Sequence, residues 1–197
     1  MQCGVGTDGR ELRRKMNYQN LLSELSSLQP GEVIAIDGPA GSGKTTLANQ
    51  LGKDLNNVEI IHMDDLYHGW SDAFSAKLSA SVINQVLTQI SQGVEFNYEI
   101  YDWKSNKFYK SKIIPSGQIY ILEGVSAGRR QFRKYLSKII WLDIADEEGL
   151  TRVINRDGAE ILSPMQEFQR AQKLHFASDL TENAADFHYE GVPKTLL

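Results

Sequence analysis

The chain has 197 residues, a formal net charge of −4, 41% hydrophobic residues and 23% charged ones. That suits one domain with a sizeable core, and without a basic excess it gives no reason to expect nucleic-acid binding, which needs a basic face. No run approaches the about 18 apolar residues of a membrane span, the start lacks the apolar stretch of a secretory signal, and the single cysteine, Cys3, can form no internal disulfide. The expectation is a cytoplasmic protein that engages neither nucleic acid nor membrane.

Residues 1–16 carry Gly4, Gly6 and Gly9, then Arg10, Arg13, Arg14 and Lys15, and read as a polar lead. Leu21, Leu22, Leu25 and Leu28 fall at helical spacing, which predicts an amphipathic helix over 17–28 closed by Pro30-Gly31. Residues 1–29 are therefore read as preceding a main domain at 30–197. Val33-Ile34-Ala35-Ile36-Asp37 is a short apolar run, as a strand buried on both faces would be. A glycine loop follows, then a helix over 44–55.

The pattern recurs. Residues 58–63 read as a second strand ending at Asp64-Asp65, and 72–92 as a helix with Phe74, Leu78, Val82, Val86, Leu87 and Ile90 on one face. A third strand at 118–122 ends in Glu123-Gly124. A helix at 127–136, a strand at 138–144, helices at 147–156 and 164–182, and a last strand at 186–189 complete the series. Strands alternating with helices imply right-handed crossovers and a parallel sheet, hence an α/β three-layer domain. One stretch breaks the rhythm. Residues 96–103 and 108–114, rich in aromatic and β-branched types, flank Lys104-Ser105-Asn106-Lys107 and predict a β-hairpin within 95–115. Inserted there, it overhangs the carboxyl ends of the strands, where ligands bind in this class.

Gly38-Pro39-Ala40-Gly41-Ser42-Gly43-Lys44-Thr45 fits G-x-x-x-x-G-K-[ST] without mismatch, and Thr46 continues it. Glycines let the backbone curl so that consecutive N–H groups face phosphate oxygens. The helix that begins there adds orphan N–H groups and the positive end of its dipole. Lys44 is expected on the β- and γ-phosphates of ATP and the Thr45 hydroxyl on Mg²⁺. A phosphoryl-transfer site also needs carboxylates for the metal and for the acceptor hydroxyl. Asp64, Asp65 and Glu123 close strands on the edge that carries the loop, so Asp64 and Glu123 are candidates for both tasks. Asp37, just before the loop, is read as supporting the turn.

Arg152 and Arg156 are four apart and share a helix face. They suit a lid over 150–162 that brings positive charge to the transferring phosphate, with Gly158 as a hinge. They also read as a solvated face paired with Glu147, Glu148 and Asp157. Arg129 and Arg130 are read as solvated surface. Tyr67, Trp70, Tyr101 and Trp103 offer an aromatic wall for a flat acceptor or, equally, packing for the hairpin. His62, His68, His175 and His188 have no partner at metal-ligand spacing and read as structural.

With these pieces in order, the chain resembles the uridine kinase/phosphoribulokinase group of P-loop kinases over roughly residues 31–182, most of all its short bacterial uridine-kinase-like members. The resemblance rests on the phosphate loop, Met63-Asp64-Asp65-Leu66-Tyr67, Tyr101-Asp102-Trp103, Leu122-Glu123-Gly124, Arg152 and Arg156-Asp157. It implies a five-stranded sheet of order 2-3-1-4-5. It also implies roles: Asp64 as base for the acceptor hydroxyl, Tyr67 near the sugar, Tyr101 and Asp102 lining the nucleoside pocket, and Trp103 packing on the base. Glu123 would lie near Mg²⁺, and Arg152 and Arg156 in a mobile lid. Two positions depart from the group. Asn106 stands where a histidine contacts the pyrimidine, and Phe108 where an arginine follows, so nucleoside selectivity is the property these changes touch.

The reading is a kinase that moves the γ-phosphoryl group of ATP to a hydroxyl of a nucleoside or related metabolite. A non-nucleoside acceptor such as a sugar acid or cofactor precursor, and a regulatory P-loop ATPase or GTPase, remain alternatives. The acceptor and the oligomeric state, a homodimer or higher assembly included, are left open by the sequence.

Overall fold

A computed structural model describes residues 16–190, so the polar lead lies outside the described residues except for Met16. Helix α1 (Tyr18–Leu25) precedes strand β1 (Val33–Asp37), and α2 (Lys44–Asp54) precedes β2 (Val58–His62). Next come α3 (Ala76–Val82), a π-helical turn at Ile83–Leu87 and α4 (Thr88–Ser91), which together fill most of the predicted 72–92 helix. Strands β3 (Phe96–Asp102) and β4 (Lys107–Ile114) form an antiparallel hairpin. Strands β5 (Ile119–Glu123) and β6 (Lys138–Asp143) are followed by α5 (Asp146–Asp157), α6 (Leu162–Asp179), α7 (Thr181–Ala184) and β7 (Phe187–Glu190).

The central sheet runs β2-β5-β1-β6-β7, every neighbour parallel. Counted over the parallel strands alone, this is the 2-3-1-4-5 order. Because strand side chains alternate, β1 feeds two cores. Ile34 and Ile36 pack with Leu21 and Leu25 of α1 and with Leu47 and Leu51 of α2. Val33 and Ala35 pack on the opposite face with Leu78, Val82, Val86, Phe132 and Phe168. The apolar stripe predicted for α1 thus belongs to one outer layer of the sheet. Met16 joins it, its N–H donating to His188 O at 3.0 Å.

Two expectations fail together after β5. The segment predicted as a helix over 127–136 is a chain of turns, with only a short 3₁₀ stretch at Arg133–Tyr135. Its N–H groups are drawn away from helical acceptors by carboxylates. Ser126 N and Gly128 N donate to Asp37 at 2.8 Å each, and Arg130 N donates to Asp179 at 3.0 Å. Arg129, read as solvated, is 1% exposed. Its guanidinium donates to the carbonyls of Ala73, Ser75 and Ser126 and to the hydroxyls of Ser79 and Ser126. All five of its N–H donors can be used there, so it latches the entry to α3 onto the post-β5 turns.

His175 of α6 lies against Phe74, ring centroids 5.0 Å apart, and its Nε2 is buried without a hydrogen-bond partner. Burial first, and Arg129 second, push its pKa down to about 4. The unfolded chain, with an ordinary histidine near pKa ~6.5, therefore binds the extra proton between those values. This contribution to stability is present above about pH 6.5 and is lost as pH falls toward 4. Urea midpoints measured from pH 7 to 4.5 should fall more steeply for the wild type than for His175→Phe. Parallel curves would remove the assignment.

Candidate active site

The chain leaves β1 at Asp37 and re-enters helix at Lys44, and the loop between is shaped by its neighbours. Gly38 has φ +141°, and a Cβ there would sit 2.2 Å from Leu142 O. Gly41 has φ +81°, and a Cβ would sit 2.4 Å from Gly149 O, in the first turn of α5. Both glycines are thus required by space as well as by dihedral. Gly43 caps α2 in the left-handed region. The Ser42 hydroxyl is buried with no partner, and Thr45 and Thr46 occupy the first helical turn, where the dipole favours an anion.

Lys44 is buried and donates to Gly38 O at 3.0 Å and Pro39 O at 2.8 Å. Burial lowers its pKa, while Glu123, Asp37 and Asp64 oppose that fall. Thr45 Oγ1 donates to Glu123 Oε1 at 3.0 Å. Asp64 lies in a 3₁₀ turn (Met63–Asp65) at the end of β2. The residue is exposed to solvent, yet its carboxyl is packed round by protein. That loss of solvation, with the Glu123 charge beside it, pushes its pKa up to about 6, and Lys44 and Arg156 pull the other way. Asp65 instead accepts the Tyr98 hydroxyl at 3.3 Å.

The hairpin supplies an aromatic wall beside Asp64. Trp103 meets Trp70, Tyr101 and Tyr67 edge to face, with centroids 5.1, 5.4 and 6.3 Å apart. Its indole N–H donates to Asp64 O at 3.1 Å, so the wall is pinned to the carboxylate's own turn. Tyr67 is buried and donates to Val125 O at 2.6 Å. The Tyr101 hydroxyl donates to Asn106 at 3.3 Å, which ties the departing position to the pocket wall. Asp102 turns into its own hairpin, accepting Lys104 N at 3.1 Å and the Ser105 hydroxyl at 2.6 Å. That gives it a turn-capping part.

Arg152 and Arg156 project from α5. Arg152 pairs with Glu148 and donates to Gly41 O of the loop at 3.4 Å. Arg156 is held by both oxygens of Asp157 at 2.7 and 2.6 Å; it helps lower the pKa of Lys44 and of Asp64, and the charges of Asp64 and Glu123 help raise its own. Of the acids read as salt-bridge partners, Glu148 and Asp157 are engaged, and the contact of Arg152 with the loop was not foreseen.

One supporting residue went unread in the sequence. Gln172 is 1% exposed and accepts the Ala40 N–H at 3.1 Å, so α6 braces the loop. Its signal was available: it continues the buried stripe of Met165 and Phe168, and a polar residue on an apolar stripe needs a partner.

Residues 14–113, about half of the chain, match the family model described as NB-ARC domain. This chain belongs to that family of P-loop NTPase domains. The matched stretch of this P-loop NTPase holds the phosphate loop, Asp64 and most of the hairpin, while Glu123, Arg152 and Arg156 lie beyond it. Over a longer span the protein is uridine-kinase-like. It is 23% identical over 162 residues to the uridine kinases of Borrelia duttonii (strain Ly) and Borrelia recurrentis (strain A1), covering 74% of this chain and 78% of each relative. The structure described as a possible uridine kinase from Bacillus stearothermophilus superposes with a TM-score of 0.66 at 22% identity, covering 86% of this chain and 95% of that one. The shared architecture is the α/β P-loop kinase fold.

Gln172→Leu should leave this uridine-kinase-like protein folded but its loop unbraced. ADP affinity by calorimetry is expected to drop about three- to tenfold, the size of one lost hydrogen bond. Unchanged affinity would mean the Ala40 contact does not shape the loop.

Proposed function

We propose that this protein is an ATP-dependent kinase that moves the γ-phosphoryl group to a hydroxyl of a small, flat or sugar-bearing acceptor, a nucleoside or related metabolite. The observation that carries the reading is convergence. Lys44, Asp64, Glu123 and Arg156 come from four different elements, yet Lys44, Asp64 and Arg156 each feel the charge of others in the set, Glu123 among them, and Glu123 accepts the Thr45 hydroxyl of the loop. Asp64 is tied to the Trp70–Tyr101–Trp103 cluster by the Trp103 indole N–H on its carbonyl.

The donor set suits Mg²⁺. Hydroxyl and carboxylate oxygens are the ligands a hard cation takes, and the mutual repulsion of Asp64 and Glu123 is what a cation between them would relieve. Thr45, Asp64 and Glu123 would hold it. When bound, Mg²⁺ neutralises charge on the β- and γ-phosphates. The N–H groups of Gly41 and of Gly43 to Thr46, with the Lys44 ammonium, position the triphosphate, while the Gly38 and Ala40 N–H groups are committed to Asp37 and Gln172. Asp64 takes the acceptor's proton, a task suited to a carboxylate whose basicity is raised. Arg152 and Arg156 stabilise charge as it develops. Trp103 and Tyr101 orient the acceptor, with Tyr67 fixing the wall from behind. The 150–162 segment acts as the lid on a domain whose core also takes in α1, which the expected boundary at residue 30 left out. The reaction needs no covalent enzyme intermediate, so positioning and electrostatics supply the acceleration.

The test is MgATP-dependent ADP release with a panel of nucleosides, riboside cofactor precursors and sugar acids. Stimulation by one class would identify the acceptor. Release that no acceptor stimulates would favour the regulatory ATPase reading. In the presence of the active acceptor, Asp64→Asn should lower kcat at least a hundredfold, far more than it lowers ADP affinity. Equal losses in both would remove Asp64 as the base.

A further inference from the structure

The end of β2 lies directly beside the end of β5, with His62 and Glu123 as register partners. His62 Nδ1 is 2.5 Å from Glu123 Oε1, and Thr45 Oγ1 donates to that same oxygen at 3.0 Å. An ionised carboxylate oxygen only accepts, so the histidine nitrogen facing it carries the hydrogen. The exposures differ: the His62 side chain is 33% exposed and that of Glu123 6%. A partly exposed ring and a hydroxyl of the phosphate loop therefore meet on one buried acceptor.

This arrangement has a consequence for Thr45. With its hydrogen directed at Glu123, the hydroxyl keeps its lone pairs for a different ligand. Glu123 can hold that hydrogen only while its carboxylate stays turned toward the loop. A glutamate side chain has three rotatable bonds and loses considerable freedom when fixed. Thr45 alone gives one anchor. His62 gives the second, on the same oxygen, from a neighbouring strand whose backbone is already fixed by the sheet.

We propose that His62 is a positioning residue for the divalent cation of this site. It holds Glu123 in the orientation that accepts the Thr45 hydroxyl, and Thr45 in turn faces the cation. The inference rests on the reading that a metal–nucleotide complex binds the loop. Partners one step behind a metal ligand commonly change metal affinity by about 10- to 100-fold when removed. The motif G-x-x-x-x-G-K-[ST] contains no histidine, so this residue belongs to the particular pairing of β2 with β5.

The experiment is calorimetry of ADP binding in Mg²⁺ and in EDTA, on the full chain. His62→Ala should weaken binding in Mg²⁺ about tenfold and leave binding in EDTA unchanged. His62→Asn, whose amide N–H can stand near the place of Nδ1, should recover most of the loss. A melting curve for each variant checks the fold. Equal weakening in Mg²⁺ and EDTA would overturn the proposal, because a merely structural role lowers both. Wild-type-like binding by His62→Ala, while Thr45→Ala loses the Mg²⁺ effect, would also overturn it and leave the nucleotide reading standing. If ADP binding by the wild type itself ignores Mg²⁺, the underlying reading fails, and the inference with it.

Discussion

The buried carboxylate of Asp37 is the constraint on which the site depends. It is fully buried at the end of β1 and accepts N–H groups from Gly38, Ser126 and Gly128 at 2.7, 2.8 and 2.8 Å. Burial pushes its pKa up to about 6 even though these donors and Lys44 favour the charged form. The first residue of the phosphate loop and the turn beyond Glu123 are thereby held on one acceptor. Glu123 stands opposite Ile36 in the β1–β5 pairing, within reach of Thr45. An apolar side chain at 37 would leave three buried N–H groups unpaired, each costing about 1–3 kcal/mol.

Around that tie, the loop is braced from every side by elements far away in sequence. Leu142 of β6 and Gly149 of α5 approach so closely that only glycine fits at Gly38 and Gly41. Gln172 of α6 accepts the Ala40 N–H. Arg129 joins the post-β5 turns to the stretch from Ala73 to Ser79. A loop held in this way keeps its N–H groups aimed without waiting for a ligand, and such preorganisation is what makes electrostatic stabilisation effective. The arginines on α5 are different: they are exposed and held by acids of their own helix, as residues of a lid would be.

The aromatic wall joins the two halves of the site. Trp103 comes from the hairpin, yet its N–H bonds the backbone of Asp64. Trp70 continues the contact to Phe168 of α6, centroids 5.8 Å apart. The aromatic wall, the turn that carries Asp64 and the helix that braces the phosphate loop therefore pack as one unit. The packing reading of these rings and the binding reading are compatible, since an edge-to-face cluster can hold the hairpin and present a ring to a ligand.

The parts legible in the sequence were those written in local patterns. The alternation of strands and helices, the phosphate loop at Gly38–Thr45 and the paired hairpin runs each depend on residues close along the chain. Their physics is local: dihedral freedom, side-chain periodicity and the orphan N–H groups of a helix start. Only the tertiary structure decided what long-range carboxylates and amides would do. The stretch 127–136 has helical spacing but is held in turns by Asp37 and Asp179, which lie 91 residues before Gly128 and 49 after Arg130. Arg129 is polar enough to read as surface, and is buried because backbone carbonyls from Ala73, Ser75 and Ser126 converge on it. His62 gained its place from the neighbouring of β2 and β5, and Gln172 from the packing of α6 on the loop. A hydrogen bond needs its donor and acceptor within about 3 Å, and that distance is set by the fold and not by separation along the chain.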